Sequence, residues 1–562
     1  MATMIADPQL LESAAADAHR INAALSQARV AAAGPTTSVV AAAGDEISAA
    51  AAQVFGTYGA EYQGLLQQAS AFHDQFAAAL ASAAGAYAGA EAEAANLLAG
   101  APVPAATNVD LALIMGPSGT PNPSLKYDLA VYAKYISRNF TTGNLQIVST
   151  PEGLYPITGV KSLPLNISVN QGLAALNDAI TQQLNTGNTP ITVFGYSQSA
   201  IIAALDLPQL QAMGVPKSDI SFVLVGNEMT PNGGALARFP GLNLTSVGLP
   251  FYGGMPANTG YSVYNYTLEY DGFADFPQYP INVLADLNAV AGIALVHTTY
   301  ASIPQSQVDS AIQLPTSPGY DGGTTYYMIP TKNLPLLAPL RLLPIIGNPL
   351  ADLIQPDLRY LVNWGYGDPN YGWSTGYADI TTPFGLFPPL SATTALPGLL
   401  VSGAQQGIVA AYGDFNGTGP NPITLPHLPQ QSLGSTYPTL TPTYGLGSSN
   451  PLAPSSIINS INLFEQANTE VVGAFSSGLS SAYSTLLPTA DLANALLIGL
   501  PSYDVNLFLG GISQAINGQP VEGLINAIGL PIAADVGLGT LALGVEGIVL
   551  VDAVQEIAAL VP

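Results

Sequence analysis

The sequence predicts an α/β fold with a mainly parallel sheet, preceded by a helical hairpin and followed by an apolar, mostly helical and loop-rich C-terminal region. Three observations carry this reading. Short apolar runs alternate with helical segments between residues 110 and about 300. The first hundred residues hold two long alanine-rich stretches with helical stripes. Lys and Arg cease after Arg359, while the chain remains apolar to its end.

The first helix is expected over residues 8–33, where Leu11, Ala14, Ala18, Ile21, Leu25 and Ala28 recur at spacings of three and four. Gly34 and Pro35 should stop it, and Thr36, Thr37 or Ser38 can cap a second helix. That helix carries Ile47, Val54, Tyr58, Tyr62, Leu65, Ala69, Phe72 and Phe76 on one stripe and runs to about Leu98. Two such helices, over residues 1–99, cannot enclose a core. Packing against the following domain is one solution, and docking on a helical partner chain is the favoured one.

A Pro- and Ala-rich linker follows over residues 100–109. Strands are then expected in "DLALIM" from Asp110, "LQIVST" from Leu145, "PITVFG" from Pro190, "SFVLVGN" from Ser221 and "YNYTLEYD" from Tyr264. Helical segments such as "NQGLAALNDAITQQLN" separate them, which is the βαβ pattern of a parallel sheet. This domain is placed at 110–375. Residues 376–455 read as a Pro- and Gly-rich connection. Helical periodicity returns over residues 456–562, without recognisable chemistry.

Composition excludes several classes. The net charge is −25 with eleven Lys and Arg in 562 residues, which argues against a nucleic-acid partner. There is no Cys, so disulfides, thiolate metal sites and thiol nucleophiles are out. The four His are dispersed, and neither a metal nor a cofactor is expected. No uninterrupted apolar run of about 18 residues is visible, so no membrane-spanning helix is expected. No basic and apolar leader opens the chain either.

The chemistry concentrates at "VFGYSQSA", residues 193–200. Ser197 follows an apolar strand and precedes a helix, with small residues, Gly195 and Ser199, two positions to either side. A strained strand-to-helix turn that presents a nucleophile needs this arrangement. The competing reading is a serine that caps the helix. A nucleophilic serine needs a base, and His19, His73 and His427 lie outside the α/β region, which leaves His297. An acid must orient the imidazole. "EYDGFADFP" supplies Asp275, favoured for its loop position, and Asp271 as the alternative. The oxyanion hole should use the backbone N–H of Gln198 and a donor from "MGPSGT", where Gly116, Ser118, Gly119 and Thr120 are candidates and Gly119 and Thr120 are chosen.

Residues 4–99, with "DPQLLESAAADAHRINAAL", resemble the PE domain of mycobacterial PE proteins, although Pro8-Gln9 stands where the family has Pro-Glu. The resemblance implies pairing with a PPE-family protein and export by a type VII secretion system, with Tyr87 and Glu91 as the secretion signal. Residues 110–375, with "GYSQS", "YDGFADFP", "NAVAG" and the His before "TTY" in order, resemble the PE-PPE domain, a cutinase-like serine α/β hydrolase. This implies a secreted or cell-envelope-associated esterase acting on short to medium acyl esters through Ser197, Asp275 and His297. An acyltransferase with the same triad and a catalytically inert surface interaction protein are the alternatives.

Overall fold

The structure, a computed structural model, describes residues 8–44, 48–49, 52–57, 59–60, 62–63, 106–421, 480 and 485–558. The chain divides into two compact units. One comprises residues 1–104, 340–354 and 404–426, the other residues 105–339, 355–403 and 427–562. Tyr87, Glu91, His73, His427 and the part of the Pro- and Gly-rich connection after residue 421 lie outside the described residues.

In the first unit, helix α1 spans Pro8–Thr37, four residues beyond the expected stop. Pro35 sits in its last turn, where a missing N–H removes few helical bonds. Thr36 Oγ1 and Thr37 Oγ1 donate to the carbonyls of Ala32 and Ala33, both at 2.7 Å, so the hydroxyls extend the helix instead of capping the next one. Gln63 Nε2 donates to Thr36 Oγ1 at 3.1 Å.

The second unit is built on seven strands: β1 Leu111–Ile114, β2 Leu145–Ile147, β3 Ile191–Tyr196, β4 Ile220–Val225, β5 Ser262–Leu268, β6 Ile312–Gln313 and β7 Thr324–Ile329. Their order is β2-β1-β3-β4-β5-β7-β6, and every pairing is parallel except that of β6 with β7. The five expected strands are all present. The last two lie inside the expected α/β domain but are not among the expected strands.

Strands β3 and β4 are buried along their whole length, which is why they read as unbroken apolar runs. Ile191 and Val193 join one core, and Phe194 and Tyr196 join the core on the opposite face. Helices α2 (Leu165–Thr186), α3 (Gln198–Ala212) and α4 (Val283–Leu295) complete the α/β layers. Tyr196 pairs with Val225, and Val225 with Tyr266. The C-terminal ends of β3, β4 and β5 therefore lie side by side, the usual location for a site in an open α/β sheet.

Helices α5 (Leu486–Asn494), α6 (Leu500–Ile516) and α7 (Pro520–Ala558) belong to this same unit. Leu500, Tyr503, Ala533, Ala534 and Leu538 join the core that contains Val193 and Phe222. The C-terminal helices are thus part of the α/β unit. Against the expectation of no membrane-spanning helix, Leu486–Ile516 and Pro520–Gln555 are each, by length and composition only, long and apolar enough to cross a bilayer. Gly, Ser, Thr and Asn interrupt the apolar runs there, yet few charges do, so the mean hydropathy over a helical window stays high.

Candidate active site

The candidate nucleophile sits where β3 turns into α3. Ser197 has φ 59° and ψ −126°, a conformation that an L-residue holds only when its surroundings impose it. Its N–H donates to the Val225 carbonyl at 3.1 Å, tying the turn to the end of β4. Gly195 is required, since a Cβ there would lie 2.7 Å from the Ser199 carbonyl oxygen. Ser199 does not crowd the turn. Its Oγ accepts from the Tyr196 N–H at 2.8 Å and donates to the Tyr196 carbonyl at 3.0 Å, closing the elbow on itself.

His297 follows α4, and its Nε2 lies 2.8 Å from Ser197 Oγ. Its Nδ1 faces Asp271, at 2.8 Å from Oδ1 and 2.9 Å from Oδ2. The acid beside the imidazole is therefore Asp271, and the choice of Asp275 is corrected. Asp271 follows Tyr270, whose φ of 67° turns the chain at the end of β5. Its carboxylate also accepts from the Phe273 and Ala274 N–H groups and from the Tyr300 hydroxyl at 2.7 Å. So many donors to one buried carboxylate hold it in place.

Asp275 braces the same loop from beneath. Its Oδ2 accepts from the Tyr270 N–H at 3.0 Å, and its own N–H donates to the Asp271 carbonyl at 2.6 Å. Burial pushes its carboxyl well above the usual carboxylate range. For His297, burial works against the charged ring. The charge and hydrogen bond of Asp271, together with the charge of Glu228, outweigh it and raise the imidazole above its ordinary value.

The surroundings are aromatic and close. The Phe273 ring meets the His297 ring edge-on, with centroids 4.9 Å apart. The Tyr196 hydroxyl donates to the His297 carbonyl. Gly226, immediately after β4, has φ 58°, and a Cβ there would lie 2.9 Å from the Tyr300 ring and 3.2 Å from His297 Cε1.

The turn after β1 lies against Gln198, whose Nε2 donates to the Gly153 carbonyl at 2.7 Å and to Ser118 Oγ at 3.2 Å. The two amides chosen for the oxyanion hole are occupied. Gly119 N–H donates to the Glu152 carbonyl at 2.7 Å and Thr120 N–H to the Pro117 carbonyl at 2.9 Å. One amide is consumed inside the turn and the other by the loop after β2.

Sequence reasoning missed Glu228. It lies three residues beyond β4, fully buried, with Oε1 3.2 Å from Ser197 Oγ and Oε2 without a hydrogen-bond partner. Burial pushes it up to about 7, against the lowering effect of His297. Its signal was positional: an acid just past the C-terminal end of the strand next to the nucleophile's own.

Residues 4–94 match the PE family and residues 141–367 match the PE-PPE domain. Esterase PE16 of Mycobacterium tuberculosis is 40% identical over 552 residues, covering 96% of this chain and 99% of that protein. SL1278 acyltransferase Chp1 of the same organism is 28% identical over 46% of this chain and 64% of its own length. Among solved structures, a cutinase-like protein from Cryptococcus sp. aligns at 17% identity and a TM-score of 0.20, over 31% of this chain and 82% of that one. With a near full-length relative at this identity and both segments in order, the chain belongs to the PE family and carries a PE-PPE domain.

Proposed function

We propose that this chain is an exported serine esterase in which Ser197, His297 and Asp271 act as nucleophile, base and orienting acid. One observation carries the reading: Ser197 Oγ, His297 Nε2, His297 Nδ1 and Asp271 are linked by contacts of 2.8–2.9 Å on a strained elbow. His297 Nε2 takes the Ser197 proton as Oγ attacks the ester carbonyl, while Asp271 holds the Nδ1–H and stabilises the imidazolium. The oxyanion forms beside the Gln198 N–H at the start of α3. We assign the second donor to Ser118, whose Oγ accepts from the Gln198 side chain and keeps its own proton available. Collapse breaks the ester C–O bond, and His297 returns its proton to the leaving alcohol. Water then resolves the acyl-enzyme.

The name of the PE16 relative supports an ester substrate. Membership of the PE family supports pairing with a PPE-family protein and type VII export to the cell envelope or beyond, with Tyr87 and Glu91 as the signal. The named acyltransferase relative favours a second reading in which an alcohol resolves the acyl-enzyme in place of water. An inert interaction protein would have no use for three side chains aligned at a strained turn.

The test is Ser197→Ala against the parent on p-nitrophenyl butanoate. Product release should fall by at least about a thousandfold. Equal release would sink the assignment. Partitioning of the acyl group between water and an added alcohol separates hydrolysis from transfer.

A further inference from the structure

An apolar cavity lies beside the Ser197 turn, reached through two neighbours of the proposed triad. Glu228, 3.2 Å from Ser197 Oγ, and Phe273, packed on the His297 ring, are both in its wall. It opens to solvent on one side, and the non-atom space of about 1030 Å³ includes that open solvent. Apart from Glu228 and Tyr155, every lining side chain is hydrocarbon.

The C-terminal helices supply one side of it. Leu538, Leu541, Ala542 and Val545 recur at helical spacing along α7. Leu492, Ala495, Leu496 and Leu500 repeat the pattern from the end of α5 to the start of α6. Facing them are Leu154 and Ile157 from the loop after β2 and Ile201 from α3. The helices are latched at Asp491, where Tyr155 Oη donates to Oδ2 at 2.7 Å and Ser246 Oγ donates to the backbone carbonyl at 2.8 Å.

We propose that this cavity is an acyl-chain chamber, and that residues 486–558 are the structural element that makes the enzyme select long hydrocarbon acyl groups. The proposal rests on the Ser197 reading above and names its substrate class. Beyond Glu228, which lies at the Ser197 end, a hydrocarbon wall recognises a chain by burial, at about 0.8 kcal/mol per methylene. Of the two arms of an ester, the acyl arm stays attached to Ser197 between the two half-reactions. The alcohol must leave and its replacement must enter while the acyl arm stays, which favours the open side of the cavity for the alcohol over the side walled by the latched helices. The chamber therefore holds the acyl arm, and the alcohol takes the open side.

The experiment compares kcat/KM for p-nitrophenyl dodecanoate and p-nitrophenyl butanoate in the full chain and in Leu541→Trp, which fills the chamber. The dodecanoate-to-butanoate ratio should fall at least about tenfold. The ratio for dodecyl butanoate against ethyl butanoate should stay within about twofold, since the alkyl arm lies elsewhere. An unchanged acyl ratio overturns the proposal, and so does a change confined to the alkyl ratio. If Leu541→Trp does not fold, Leu496→Phe from the other helix gives the same comparison. Should the parent hydrolyse no ester, the Ser197 reading fails by itself, and the chamber is then judged by the fluorescence of bound dansylaminoundecanoic acid. Weaker binding in Leu541→Trp supports the chamber, and equal binding overturns it.

Discussion

Glu228 Oε1 stands 3.2 Å from Ser197 Oγ, so the candidate nucleophile faces a second carboxyl besides the base that lies 2.8 Å away. Because burial raises Glu228 to about 7, below that pH it is the neutral acid. It can then donate to Ser197 Oγ and leave the serine proton to His297. Above that pH its charge favours the imidazolium and delays formation of the free base. In Glu228→Gln the acidic limb of the kcat/KM profile should move down by roughly one pH unit. A limb that stays in place would mean that the carboxyl does not couple to His297.

The two acids of the loop after β5 have separable roles. Asp271→Asn removes the acceptor that sets the His297 tautomer and should lower kcat by about 10⁴. Asp275→Asn keeps an oxygen for the Tyr270 N–H and touches neither Ser197 nor His297, so kcat should stay within about tenfold of the parent. Steady-state kinetics on one p-nitrophenyl ester decides the pair, and a larger loss for Asp275→Asn would reverse the assignment.

What was legible in the sequence follows from the same contrast. Strands buried on both faces write continuous apolar runs, so β1, β3, β4 and the Ser197 turn could be read directly. One eligible histidine made His297 readable by elimination. The choice between Asp271 and Asp275 depends on the left-handed turn at Tyr270, which composition does not announce. Glu228 required the register of β3 on β4, and the role of α5 to α7 required knowing which face of a helix apolar all round meets the cavity.

Ser199 stands where glycine is usual, and its hydroxyl makes two bonds to Tyr196. Ser199→Gly should leave the elbow able to form and the enzyme active. It should cost about 1–2 kcal/mol of stability, from the lost buried bonds and a glycine in the first turn of α3. Denaturant unfolding measures the loss. A variant as stable as the parent would show that the Gly195 turn alone sets the conformation.

Several carboxyls are buried away from compensating charge, and this sets how stability depends on pH. Burial raises Asp286 to about 9, Glu152 to about 8 and Asp206 to about 7, and both oxygens of Asp286 have no hydrogen-bond partner. Each is protonated in the folded chain while its unfolded counterpart ionises near pH 4. The unfolded state therefore loses protons first, and stability falls as pH rises from about 4 toward the folded values. For Asp286 the linkage amounts to roughly 4 kcal/mol between pH 4 and pH 7. Asp286→Asn removes that dependence. Relative to the parent, its stability should improve steadily from pH 4 to pH 8, whatever the fixed cost of burying an amide. Thermal unfolding midpoints of the two chains across this range make the comparison, and parallel curves would mean that Asp286 is solvated or paired in solution.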